Sequence, residues 1–131
     1  MRFFIHGGTA SSLSVAACVI YKEIYTKTFD IDFTSVLNIK GMFGASVLGC
    51  MLIALGYALL NKWGQQKWIG FFNIIVTVLS FTSMITPLAV TLPLDILSPE
   101  LFPGLAIPMH FFPVLAFYTI LPFFERKKAT S

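Results

Sequence analysis

This sequence predicts an all-α integral membrane protein, a four-transmembrane-helix antiparallel bundle with a proline-rich outer loop between helices 3 and 4. Three observations predict it. Apolar stretches at 3–21, 36–60, 69–86 and 105–124 fill most of the 131 residues, and each approaches the ~17–25 residues that carry a helix across a ~30 Å hydrocarbon layer. Hydrophobic residues make up 56% of the chain and charged residues 11%, with mean hydropathy +0.82; a soluble domain carries about twice that share of charge. The charges between the stretches also alternate in sign. Lys62, Lys67, Arg126, Lys127 and Lys128 fall in one loop and the tail, whereas Glu23, Asp30, Asp32, Asp95 and Glu100 fall in the other two loops. Basic residues mark the cytoplasmic side, so residues 1–131 form a single polytopic domain with both termini cytoplasmic, most simply in a bacterial inner membrane. The net charge of +3 reflects these helix-end residues, and no nucleic-acid partner is expected.

The first segment leaves the membrane near Tyr21–Tyr25, whose rings suit the headgroup level. Gly8, Ser11, Ser12 and Ala16 are small positions that favour close contact with a neighbour. Val15-Ala16-Ala17-Cys18 has the form of a bacterial lipoprotein cleavage box, but polar residues interrupt the stretch before it and hydrophobicity continues through Val19, Ile20 and Tyr21. The segment is therefore expected to remain as a first transmembrane helix, followed by a short outer loop, Lys22–Ser35.

Segment two carries Gly41, Ala45 and Gly49 at a spacing of four, one small ridge that lets helix backbones approach in lipid; Gly44 and Gly56 widen it. Packing within the bundle is expected ahead of a homodimer contact. The tight inner loop Asn61–Trp68 makes segments two and three a hairpin. Segment three ends near Pro87. From there Pro87, Pro93, Pro99, Pro103 and Pro108 punctuate an apolar stretch expected to lie on the outer interface as a lid. Within it Ser98-Pro99-Glu100 reads as an N-cap, a first-turn proline and an acid at the positive helix end. Segment four contains Pro113, where a kink is expected, and Pro122. The two halves show no similarity that would mark an inverted-repeat transporter.

Few groups carry chemistry. Lys40 falls about five residues inside segment two, roughly 7 Å down; snorkelling to the outer headgroups explains it, and the functional alternative pairs it with Asp95, Glu100, Asp30 or Asp32. His110 sits at the outer end of segment four and His6 at the inner end of segment one, too far apart to share a haem and too few for a zinc site. No cofactor or metal is expected. Cys18 and Cys50 differ in depth by roughly 15 Å, beyond disulfide reach. Asn73, Thr77 and Ser80 form a polar stripe on segment three, read as interhelical hydrogen bonding or the wall of a substrate path, to whose outer end Asn38 adds. The 14 phenylalanines suit lipid-facing surface or a hydrophobic pocket equally.

In outline the chain resembles small four-span bacterial membrane proteins such as the DoxX-like and small multidrug resistance groups. The latter depends on a membrane-embedded glutamate in its first helix, whereas segment one here has no acid before Glu23, which disfavours proton-coupled export. The leading expectation is a non-catalytic accessory or assembly subunit, with membrane lipids and a homodimer or larger membrane complex as partners. The alternative is a small transporter or lipophilic-ligand binder opening at the outer face, its path lined by Asn38, Lys40, Asn73, Thr77, Ser80, Asp95, Glu100 and His110. An intramembrane enzyme ranks last, because no nucleophile, base or metal set converges.

Overall fold

The computed structural model describes residues 2–93 and 95–124, and helices are the regular structure among them. They are α1 (Arg2–Phe29), α2 (Ile39–Lys62), α3 (Ile69–Ser83), α4 (Ile85–Ala89) and α5 (Phe102–Phe124), with single 3-10 turns at Gln66–Trp68 and Pro99–Leu101. Four helical spans, Arg2–Phe29, Ile39–Lys62, Gln66–Ala89 and Pro99–Phe124, have the length and apolar composition to cross a membrane. Residue contacts fix their directions. Gly7 lies against Ala54 and Ser14 bonds Ser46, so α1 and α2 run antiparallel. Tyr25 reaches Leu101 while His6 reaches Phe117, so α1 and α5 do likewise. Tyr57 meets Asn73, and Ser80 meets His110, which sets α3 antiparallel to both α2 and α5. One end of the molecule therefore carries Arg2, Phe124 and the Asn61–Trp68 turn, and the other carries Asp30, Asp32, Asp95 and Glu100; these are called the turn end and the acidic end below. Glu125, Arg126, Lys127 and Lys128 lie outside the described residues.

The helix bounds depart from the apolar stretches for local reasons. Helix α1 continues eight residues beyond Tyr21, because nothing between Lys22 and Phe29 breaks it; it stops where Asp30 adopts a left-handed φ of 54°. The expected Lys22–Ser35 loop thus shrinks to residues 30–38. Lys22 and Tyr25 are buried on the last turns of α1, with Lys22 Nζ donating to Thr34 Oγ1 at 3.0 Å. Helix α2 begins later than Val36, which sits with Leu37 in a turn closed on the Phe33 carbonyl. Asn38 is its N-cap, accepting from the Gly41 N–H at 2.6 Å, an orphan donor that such caps satisfy. Lys40 consequently sits in the first turn of α2 and not a turn and a half into the membrane segment. Its side chain is exposed and pairs with none of Asp30, Asp32, Asp95 or Glu100 among the described residues.

The prolines also act differently from expectation. The helical path beyond α3 is interrupted at Met84 and restarts as α4, with Pro87 inside it. A proline ring excludes a helical bond to the carbonyl four residues back, here Ser83, so the break precedes Pro87 and the chain turns helical again around it. Pro103 and Pro108 belong to α5, which runs unbroken through Pro113 and Pro122; among the described residues the irregular connection comprises 90–93 and 95–98. A 3-10 turn does start at Pro99, but Ser98 has a left-handed φ of 50° and its side chain makes no cap bond. Pro108 leaves the Gly104 carbonyl without its helical donor, and the Tyr21 hydroxyl supplies one at 2.9 Å.

Two buried clusters hold α1, α2 and α5 together. Toward the acidic end Phe33, Leu105, Cys18 and Phe102 are buried, and toward the turn end Ala10, Cys50, Ala54, Tyr57 and Phe117. Helix packing is closest at glycines other than the predicted ridge. A Cβ on Gly7 would lie 2.9 Å from Ala54 Cβ, and one on Gly56 would lie 2.2 Å from the Phe72 ring. Gly41 and Ala45 are exposed, and Gly44 has nothing within 4 Å of the place a Cβ would take.

Candidate functional site

The hairpin of α2 and α3 closes tightly at the turn end and opens toward the acidic end. At the closed end the Tyr57 hydroxyl donates to Asn73 Oδ1 at 2.7 Å, and the Tyr118 hydroxyl donates to the Asn73 carbonyl at 3.3 Å. Beyond that clasp the helices diverge over α5 and leave a cavity of about 640 Å³. Its wall runs from Leu37, just before α2, to Ile53 on that helix, from Phe72 on α3 through α4 to Val90 just beyond it, and from Phe102 to Val114 on α5. From Gly41 to Ile53 its wall runs about 18 Å along α2 at ~1.5 Å per residue.

The wall is apolar, with no charged side chain on it. The ridge Gly41, Ala45 and Gly49 forms its α2 side, so these small residues widen a hollow; a would-be Cβ on Gly49 meets Pro113 of α5 at 3.4 Å, and one on Gly41 meets only the Asn38 cap of its own helix, at 3.2 Å. Three serines on the wall spend their hydroxyls internally. Ser46 Oγ accepts from Ser14 at 3.2 Å and lies 4.0 Å from Cys18 Sγ; Ser80 donates to the His110 carbonyl at 3.1 Å; Ser83 donates to the Ser80 carbonyl at 2.7 Å. Intrahelical or interhelical bonding of this kind is how hydroxyls tolerate an apolar setting. The His110 imidazole also faces the cavity, and it makes no hydrogen bond to another described residue.

Of the residues predicted to line a path, the cavity unites Ser80 and His110, and it also takes in Gly41, Ala45 and Gly49, which were expected to pack against a helix. It leaves the others elsewhere. Asn73 is occupied in the clasp, and Thr77 is exposed with its hydroxyl on the Asn73 carbonyl at 2.9 Å. Asn38 caps α2 and Lys40 is exposed beside it. Glu100 is exposed in the 3-10 turn. Asp95 borders a separate shallow hollow of about 350 Å³ with Asp30 and Asp32, where the two acidic connections meet. There Asp32 accepts from both the hydroxyl and the N–H of Thr34, which holds its carboxyl below the ordinary 3.8. No group of three or more His, Cys, Asp or Glu residues suited to a metal ion occurs among the described residues.

Sequence reasoning missed Ser46, Met42 and Cys18 on or beside the cavity, and the buried Lys22. Met42, Ser46, Cys50, Ile53 and Tyr57 are the buried stripe of α2; their spacing of three and four was a legible signal, masked by an apolar sequence on every side. No protein-family model matches this chain, and neither a curated protein nor a solved structure does.

Proposed function

We propose that this chain is a non-catalytic, four-span membrane protein that holds a lipophilic ligand between α2, α3 and α5. The observation that carries this reading is the 640 Å³ apolar cavity, within the ~300–1,000 Å³ range of small-molecule sites. An elongated apolar hollow of this kind suits a hydrocarbon chain. The absence of any charged lining residue argues against an ion path, and the internally bonded serines argue against a hydrated one. Arg2, Lys62 and Lys67 at the turn end favour a cytoplasmic placement for that end, in a cell membrane of the bacterial inner-membrane type, so the cavity lies mainly in the outer half of the bilayer.

Ala45→Phe tests the reading. Ala45 is on the cavity wall and is exposed, so a ring can enter the hollow without meeting the packed clusters. Protein purified in lipid nanodiscs should lose a co-purifying lipophile on this substitution while keeping its unfolding midpoint. Equal lipophile content in both proteins would count against the cavity as the site.

A second reading, an accessory subunit of a membrane complex, draws support from one observation. Only 6% of the Gln66–Ala89 span is buried, against 28% to 33% in the other three. That span is the natural surface for another membrane protein, or for a second copy, and the same particles weighed intact would reveal a stoichiometric partner.

A further inference from the structure

Resting on the ligand-binding reading above, we infer that the occupant is an uncharged lipophile with one oxygen head group, of the long-chain ketone class, hydrogen-bonded through that oxygen to the side chain of His110. The cavity wall supplies the reasons. With no charged side chain on it, a carboxylate, phosphate or ammonium head entering this hollow would lose its hydration and gain no counter-charge, a cost of several kcal/mol or more. A pure hydrocarbon would fill the volume but leave the His110 ring nitrogens unmatched. Ser80 and Ser83 have already given their protons to backbone carbonyls, and Ser46, which accepts from Ser14, is buried against Ser14 and Cys18 at 2% exposure. Thr86 stands at the exposed rim. His110 is thus the polar side chain available inside the hollow, and an imidazole offers a ring N–H to an acceptor oxygen.

Position along the helix adds a constraint on shape. His110 lies eight residues into α5, about 12 Å from its start at ~1.5 Å per residue. The wall extends from His110 in both directions, back to Phe102, Leu37 and Val90 at the acidic end and on to Val114, Ile53 and Phe72 toward the turn end. A head group bonded at His110 therefore sits near the middle of the hollow, with apolar wall on both sides of it to cover a chain. The lateral gap between α2 and the sparsely buried α3 is the entry route for a molecule already dissolved in the bilayer.

The test uses the full-length protein in nanodiscs equilibrated with deuterated octadecan-2-one, octadecane or octadecanoate, with empty nanodiscs as the partition baseline. Bound probe is counted by mass spectrometry after washing. Wild type should retain the ketone over octadecane by about five- to tenfold above baseline, the yield of one net hydrogen bond, and should exclude octadecanoate. His110→Leu should abolish that preference while retaining octadecane, which also shows the cavity still folded. His110→Gln, which keeps an N–H donor, should restore part of it. A ketone preference equal in wild type and His110→Leu, or retention of octadecanoate above the ketone, would overturn the inference and leave the cavity reading standing. Retention of no probe by wild type would overturn both.

Discussion

Helix contact in this protein is set by Gly7, and the consequence can be worked in numbers. A methyl group added there lies 2.9 Å from Ala54 Cβ, 3.3 Å from Met51 Sδ and 3.4 Å from the Cys50 carbonyl oxygen. Carbon atoms rest at ~3.5–4.0 Å, and a carbonyl and a Cβ cannot swing aside as a flexible chain end can. Helices α1 and α2 must therefore part by roughly 0.6–1 Å, along a contact that joins both buried clusters. Overpacking of this kind costs about 1–3 kcal/mol. Gly44→Ala is the matched control, on the same helix pair but with nothing within 4 Å. Both substitutions share whatever helix-propensity gain replaces a glycine, ~0.5–1 kcal/mol, so their difference isolates the overpacking at about 1–3 kcal/mol. The assay is reversible unfolding in mixed micelles of rising SDS content, followed by circular dichroism and by Trp63 and Trp68 fluorescence. Gly44→Ala should unfold at or above the wild-type midpoint and Gly7→Ala below it. Equal midpoints for the two variants would refute the argument that α1 and α2 meet at Gly7.

Other expectations follow from the same geometry. Lys40→Met should leave ligand retention and unfolding midpoint unchanged, since Lys40 is exposed in the first turn of α2 and does not line the cavity; a loss of retention measured in nanodiscs would contradict its placement. Asp32 should titrate below the ordinary 3.8 because Thr34 donates twice to its carboxylate and the Lys22 ammonium is near. A carboxyl lowered on folding stabilises the connection above its unfolded pKa of ~3.9, and that contribution is lost as pH falls through the lower folded value. Carbon-13 titration of the aspartate carboxyls should show the lowered midpoint and its rise in Thr34→Ala; an unmoved midpoint would remove the Thr34 hydroxyl as the cause.

How far the sequence speaks differs between fold and site. Four apolar stretches with sign-alternating loops suffice to foresee four long helices, because length and hydropathy are summed properties that survive local detail. Boundaries fail where a single residue decides them. Nothing in the composition of Lys22–Phe29 announces that α1 continues until Asp30, and the Asn38 cap places Lys40 at a helix end only once the turn on Phe33 is known. Prolines were read as breakers, yet Pro103 and Pro108 stand inside α5, with Tyr21 satisfying the carbonyl that Pro108 frees. The ridge Gly41, Ala45 and Gly49 was visible as a stripe of small residues, but a stripe is the same in sequence whether it meets a helix or a hollow. Only the splay of α3 from α2, clasped by Tyr57 and Asn73 at one end, distinguishes the two. Ser80 and His110 were legible as polar groups on their helices; their meeting across α3 and α5 depends on register, which no single segment encodes.

The central claim is that the hollow between α2, α3 and α5 is occupied by a lipophile. Native mass spectrometry of the intact protein released gently from nanodiscs measures this most directly, with Ala45→Phe run in parallel. A discrete, uncharged small molecule should be bound to wild type in a fixed ratio and absent from Ala45→Phe. Bare wild-type protein, or wild type accompanied only by foreign protein subunits, would contradict it.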